Sequence, residues 1–156
     1  MLLKVMSRSR VVLLALTCSA LGVLAGAYLF SRSERRSFLA IVPCERCTSS
    51  NELIGLLASV GIQRFPGLLP ETVLETDKTI VIRHPRPAAR IHYVIIPKKD
   101  IKNIGGLSSS DMPYLIDAHT AARVLIGRDH MNAYRLITNG PGYQTATYLH
   151  FHLTSQ

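Results

Sequence analysis

No charged side chain occurs between Val11 and Phe30, and that run limits what the first part of the chain can become. A helix rises about 1.5 Å per residue, so roughly 20 apolar residues cover the hydrocarbon core of a bilayer. Lys4, Arg8 and Arg10 precede the run, and Arg32, Arg35 and Arg36 follow it. Charges clustered at both ends suit a span that stops at each interface and argue against a helix buried in a soluble domain. Residues 1–30 are therefore read as an N-terminal membrane anchor or signal segment. Ala25-Gly26-Ala27 has the small-x-small form of a cleavage site, but the length of the run favours an anchor. Cys18 follows Thr17 and precedes more apolar sequence, surroundings that do not suit lipid attachment. Basic residues are balanced across the span and the free amine adds to the N-terminal side. The expectation is a single-pass, membrane-anchored protein with its domain on the extracytoplasmic side.

The formal net charge is +8; three of those charges lie in residues 1–30, which hold no acidic residue, so +5 remains beyond them. Such a balance suits an anionic ligand or an anionic membrane surface. It does not point to nucleic acid: aromatics make up 6% of the chain, and no basic run interleaves with stacking residues. Cys44-Glu45-Arg46-Cys47 is compatible with half a zinc site, a disulfide or a redox pair. A four-ligand zinc site would need two further partners.

Residues 31–42 read as a juxtamembrane linker and residues 43–156 as the domain. A helix is expected over Asn51–Val60, capped by Asn51, striped by Leu53, Leu56, Leu57 and Val60, and stopped by Gly61. Pro66 and Pro70 mark a loop. Strands are expected at Thr79–Ile82 and Ile91–Ile96, with His84-Pro85-Arg86-Pro87 as a turn between them. Ser108–Ser110 leads into a long helix from Asp111 to Ile126, with Gly127 placed to end it. Asn132–Thr138 and Thr145–Leu153 read as strands joined through Asn139-Gly140-Pro141-Gly142, a hairpin. This order predicts an α+β fold with an antiparallel sheet.

The closing segment carries the chemistry. In a strand, side chains alternate between faces. Tyr148, His150 and His152 then share one face, and Leu149, Phe151 and Leu153 share the other. A neutral imidazole can attack phosphorus, and a neighbouring imidazole near its pKa can move protons. The same pair also suits metal binding, with His92 as a third ligand.

The stretch Asn139 to Leu153 resembles the signature of the histidine triad (HIT) superfamily, where Asn, a Gly-rich turn and Gln-Ser/Thr lead into alternating histidines. A second block, Ala88 to Lys99, is similar to that family's strand ending in Ile-Pro-Lys. Together the blocks cover roughly Val73 to Gln156 and are Hint-like in order. The resemblance implies a HIT-like antiparallel sheet with a long helix and a shorter N-terminal helix, here preceded by one transmembrane or signal helix. It implies His150 as nucleophile, His152 as phosphate ligand and proton relay, and His92 as a buttress. Asn139, Gly142, Gln144, Thr145 and Tyr148 fall on substrate-binding positions, with the Gly140–Gln144 amides as candidate binders of developing charge. His84 and Pro85 fall on the loop that contacts the nucleoside.

Two departures stand out. Tyr148 occupies the first triad position, where the backbone carbonyl survives but the imidazole is lost. His84-Pro85-Arg86-Pro87 replaces the family's Asp-Ile-x-Pro, which removes a carboxylate from ribose recognition. Some relatives bind structural zinc; the corresponding positions here hold Cys44, Cys47, Asp100 and Tyr148, a poor set, and no cofactor is expected. The implied function is a hydrolase or nucleotidyl transferase. Its substrate would be a nucleotide-like phosphoramidate, phosphate ester or pyrophosphate, cleaved through a covalent phospho-histidine. A CDP-diacylglycerol-pyrophosphatase-like hydrolase and a non-catalytic nucleotide-binding domain are the alternatives. Expected partners are a nucleotide or nucleotide-linked small molecule and the membrane. A homodimer follows by family analogy.

Overall fold

The computed structural model describes residues 7–36 and 49–156. Contacts divide the chain into two units, Met1–Ser31 and Arg32–Gln156. In the first, α1 (Arg8–Phe30) runs for 23 residues with none buried, a length of about 35 Å at the helical rise. It is long and apolar enough to cross a membrane. Thr17 stays within it by returning its hydroxyl to the Leu13 carbonyl at 2.9 Å.

The second unit is α+β, as expected. Helix α2 (Ser49–Arg64) comes first, then β1 (Thr72–Glu75), β2 (Thr79–Arg83), β3 (Ile91–Pro97), α3 (Met112–Arg128), β4 (Tyr134–Thr138) and β5 (Phe151–Ser155). The five strands form one sheet in the order β1-β2-β3-β5-β4, every neighbouring pair antiparallel. Alternation sorts the side chains. Val81, Tyr93, Ile95, Phe151 and Leu153 face α3 and pack on Ala118, Ala121, Ala122 and Leu125. Ile80, Val94, Ile96 and Tyr148 form a second cluster with Ile62 of α2. The small alanines let α3 lie close to the sheet, and Tyr93 ties its end down by donating to Asp129 at 2.7 Å.

Several boundaries differ from the sequence reading. Strand β1 has no strong alternating pattern; it contains an irregularity between Thr72 and Leu74 and pairs only at the sheet edge. Gly61 does not end α2, which continues to Arg64. The buried face of α2 is also rotated from the expected stripe: Glu52, Leu56, Ser59 and Ile62 are buried, whereas Leu53 and Leu57 are half exposed or more. Gly127 lies within α3, and the chain turns at His130 instead, with φ of 50°. The last strand begins only at Phe151. Upstream, the amides of Thr147 and Leu149 donate to the carbonyls of Asn51 and Ile101, so the sheet ladder cannot claim them.

The segment 31–42, expected to be a linker, is in part built into the domain. Arg36 is fully buried and paired with the equally buried Asp100 at 2.6 Å. Ser33 and Ser59 share a hydrogen bond at 2.9 Å, and the Glu34 amide donates to Asp100 at 2.8 Å. Positions 37–42 of that segment, with Cys44 and Cys47, lie outside the described residues.

Gly55 in the middle of α2 has a steric reason to be glycine. A Cβ there would stand 2.5 Å from the Thr147 carbonyl oxygen, too close for any side chain. Gly55→Ala should therefore destabilise the domain by about 1–3 kcal/mol through overpacking, although alanine is the better helix former by about 1 kcal/mol. Thermal unfolding of the two proteins measures the sign directly.

Candidate functional site

The site grows out of the β3–β5 ladder. Register places Val94 opposite His152 and His92 opposite Thr154. The imidazoles of His92 and His152 thus emerge on the same face of adjacent strands, and His92 Nε2 lies 3.0 Å from His152 Nδ1. His150 precedes β5, yet its alternation with His152 is kept, and the two rings meet edge to face at 4.9 Å. The carbonyl of His150 is held by the Thr138 hydroxyl at 2.9 Å.

Backbone groups assign the protons. The Ala88 amide donates to His92 Nδ1 at 3.2 Å, so the neutral His92 ring carries its hydrogen on Nε2. That hydrogen is donated to His152 Nδ1, which leaves the His152 proton on Nε2. His150 Nδ1 donates to the Tyr148 carbonyl at 2.7 Å, so His150 Nε2 keeps a lone pair. The result is one ring with a nucleophilic nitrogen beside another with an N–H donor. The Tyr148 carbonyl, which survives the loss of the first triad imidazole, is the group that His150 Nδ1 meets.

Burial of His152, reinforced by the neighbouring rings of His150, His92 and His84, lowers its pKa to about 4. Burial, and then the proximity of His84, also lowers that of His92. Both rings are therefore neutral at neutral pH, as the proton assignment requires.

His150 and His152 open into a cavity of about 210 Å³. Ala58, Ile62, Val94 and Ile96 make its apolar walls, and His84, Pro85, Thr145, Ala146 and Tyr148 complete the described lining. His84 stacks on His92 with ring centres 4.1 Å apart and planes 9° apart. It takes the Arg86 amide on Nδ1 at 3.0 Å. The loop expected to meet substrate thus reaches the site through His84 and Pro85, and His84 also buttresses His92.

Other expected substrate contacts are placed differently. Gln144 is buried, and its Nε2 donates to the Lys102 carbonyl at 3.0 Å; it braces the loop and is not among the described residues lining the cavity. Asn139 and Gly142 are likewise absent from that described lining. Gly142, with φ of 89°, serves the turn. The amides of Tyr143 and Gln144 both donate to the Gly140 carbonyl, so they are committed to the turn rather than to an anion. The Tyr148 hydroxyl donates to the Pro97 carbonyl at 2.8 Å, and burial pushes its phenol well above the usual range. It lines the cavity but gives its proton to β3.

Two donor sets bear on metal. Asp100 does not fit a zinc set, because Arg36 Nη2 holds both of its oxygens, at 2.7 and 2.6 Å. Among the described residues, His84, His92 and His152 bring ligand nitrogens within 4.8 Å of one another. A metal on Nε2 of His84 or His92 would need the ring proton on Nδ1, where backbone amides already donate. As oriented, the cluster suits proton donation rather than metal ligation.

Sequence reasoning missed Arg36, Asn51 and the cavity walls. Asn51 was expected only to cap α2. Instead its side chain donates to the Gln144 carbonyl at 2.8 Å, and its own carbonyl accepts from Thr147. The helical spacing of Ala58 and Ile62 was visible, but only the sheet shows which face of α2 closes over the histidines.

The comparisons agree with this geometry. Residues 68–156 match the family model described as "Scavenger mRNA decapping enzyme C-term binding". A HIT-like protein of Chlamydia muridarum is 36% identical over 87 residues, covering 53% of this chain and 68% of that protein. A HIT family hydrolase from Clostridium thermocellum superposes with a TM-score of 0.56 at 35% identity, covering 62% of this chain and 89% of the other. One from Legionella pneumophila gives 0.55 at 29% identity, covering 60% and 88%. With more than half of its length matched by that model and HIT proteins among its relatives, the chain belongs to the histidine triad family.

Proposed function

We propose that the domain is a HIT-type hydrolase or nucleotidyl transferase acting through a covalent phospho-histidine on His150. The observation that carries this reading is the His150 Nδ1 bond to the Tyr148 carbonyl, which reserves Nε2 as a lone pair beside the His152 donor. In the first step His150 Nε2 forms a bond to phosphorus as the P–O or P–N bond to the leaving group breaks. His152 Nε2–H donates a hydrogen bond to the departing atom, which takes any proton it needs from solvent water. The carbonyl of Tyr148 stabilises the positive charge on the phosphorylated ring. In the second step water attacks phosphorus, the N–P bond breaks with its electron pair returning to His150 Nε2, and the water proton passes to solvent. His92 acts as a positioning residue, holding His152 in the tautomer that donates.

The substrate class in this proposal is a nucleotide-like phosphoramidate, phosphate ester or pyrophosphate. A lipid-linked pyrophosphate is a second reading, favoured by the apolar walls at Ala58, Ile62, Val94 and Ile96 and by α1. In the same proposal α1 is a membrane anchor with the domain on the extracytoplasmic side. Strand β4, with Tyr134 and Ile137 about half exposed at the sheet edge, would meet a second copy of the chain in a homodimer.

Three outcomes test these readings. Intact-protein mass spectrometry after mixing with a nucleoside phosphoramidate or a lipid pyrophosphate should show a phosphoryl or nucleotidyl adduct. His150→Ala should show none, and its turnover should fall by at least about 1,000-fold, a scale typical of losing a covalent nucleophile. Full turnover by His150→Ala would rule out the mechanism.

Folded His152 resists protonation down to about pH 4, whereas the unfolded ring binds a proton near pH 6.5. Between those values the unfolded state holds more protons, so stability is present above pH 6.5 and declines as pH falls towards 4. Urea unfolding across this range should show that slope, and His152→Asn should flatten it. The full chain should also stay with membranes through an alkaline carbonate wash; its release there would argue against the anchor.

A further inference from the structure

The strongest unassigned feature is the guanidinium of Arg36, which lies far from His150 in sequence and is wholly buried. Nη1 donates to the Thr147 carbonyl at 2.7 Å. Nη2 meets the Gly55 carbonyl at 3.1 Å and both Asp100 oxygens. One planar group therefore joins the segment ahead of helix α2, α2 itself, the chain after β3 and the segment that enters β5. Asp100 follows closely on Pro97, whose carbonyl takes the Tyr148 hydroxyl. Thr147 is bonded directly to Tyr148, whose carbonyl fixes the His150 tautomer.

Nothing else in this segment is left to the sheet. Thr147 gives its amide to Asn51, Leu149 gives its amide to Ile101, and β5 begins only at Phe151. The Thr147–Tyr148 peptide is thus held by Arg36 at its carbonyl and by the Ala146 carbonyl at its amide rather than by a ladder. The Arg36 guanidinium that donates to the Thr147 carbonyl is a costly charge to bury, and here Asp100 compensates it.

We infer that Arg36 is a positioning residue for His150: its fork fixes the Thr147–Tyr148 peptide so that the Tyr148 carbonyl holds the His150 Nδ1 proton. This deepens the phospho-histidine reading and rests on it for its effect on rate. The positional claim itself concerns the resting protein. Lysine would keep the charge next to Asp100, but its single ammonium cannot reproduce a planar fork shared among Thr147, Gly55 and a carboxylate.

The test uses the full chain in detergent micelles, as wild type, Arg36→Lys and Leu125→Ala. Leu125 is fully buried against the other face of the sheet, so its truncation supplies a stability loss of about 2–5 kcal/mol remote from the loop. Nitrogen NMR of labelled histidine reads the His150 tautomer without substrate, and a phosphoramidate assay reads kcat and KM. Arg36→Lys is expected to populate the other His150 tautomer and to lower kcat by roughly 10- to 100-fold with KM within about twofold. Leu125→Ala should lower the melting temperature while leaving the tautomer signal and kcat per folded molecule unchanged.

A wild-type tautomer signal in a folded Arg36→Lys protein overturns the inference. So does an equal loss of signal in both variants, which would make Arg36 merely structural. If Arg36→Lys does not fold, Asp100→Asn, which loosens the same fork at its carboxylate, replaces it under the same criteria. An inactive wild type with the expected tautomer change in the variant would count against the catalytic reading and leave the positioning role supported.

Discussion

The pairing register of β3 with β5 decides everything about this site. Because side chains alternate, a slip of one residue would turn His92 and His152 into the α3 core and bring Tyr93 and Leu153 out. The slip is prevented from the core side. Tyr93, Ile95, Phe151 and Leu153 fit against the alanine face of α3, and a one-residue slip would no longer bury them together. The hydrophobic half of the ladder therefore sets the geometry of the polar half.

The polar half uses that geometry to distribute protons. Main-chain amides and a main-chain carbonyl, rather than acidic side chains, select the tautomers of His92 and His150. A tyrosine keeps the carbonyl that selects the His150 tautomer. The position contributes a carbonyl that orients the His150 ring, and its side chain is spent on the core and on Pro97. The phenol fills space between β3 and α2 and adds no charge near the imidazoles.

Much of this was legible in the sequence because it rests on local patterns. The strands at Ile91–Ile96 and Thr79–Ile82, the long helix and the shared face of His150 and His152 follow from period and turn chemistry. What escaped reading depended on long-range contact. Arg36 looked like one more charge flanking an apolar run, because only the fold brings Asp100 and Thr147 to it. Gln144 looked like a ligand contact because sequence cannot show its amide pointing to Lys102. The buried face of α2 was misjudged because Glu52 and Ser59 are buried in place of Leu53 and Leu57, against the ordinary preference.

The low proton affinity of His152 has a consequence for where such a domain can work. A ring that stays neutral down to about pH 4 presents the same N–H donor in a neutral compartment and in a mildly acidic one. The donor half of the site is thus indifferent to which side of a membrane it occupies, and the surroundings can change acidity without altering it.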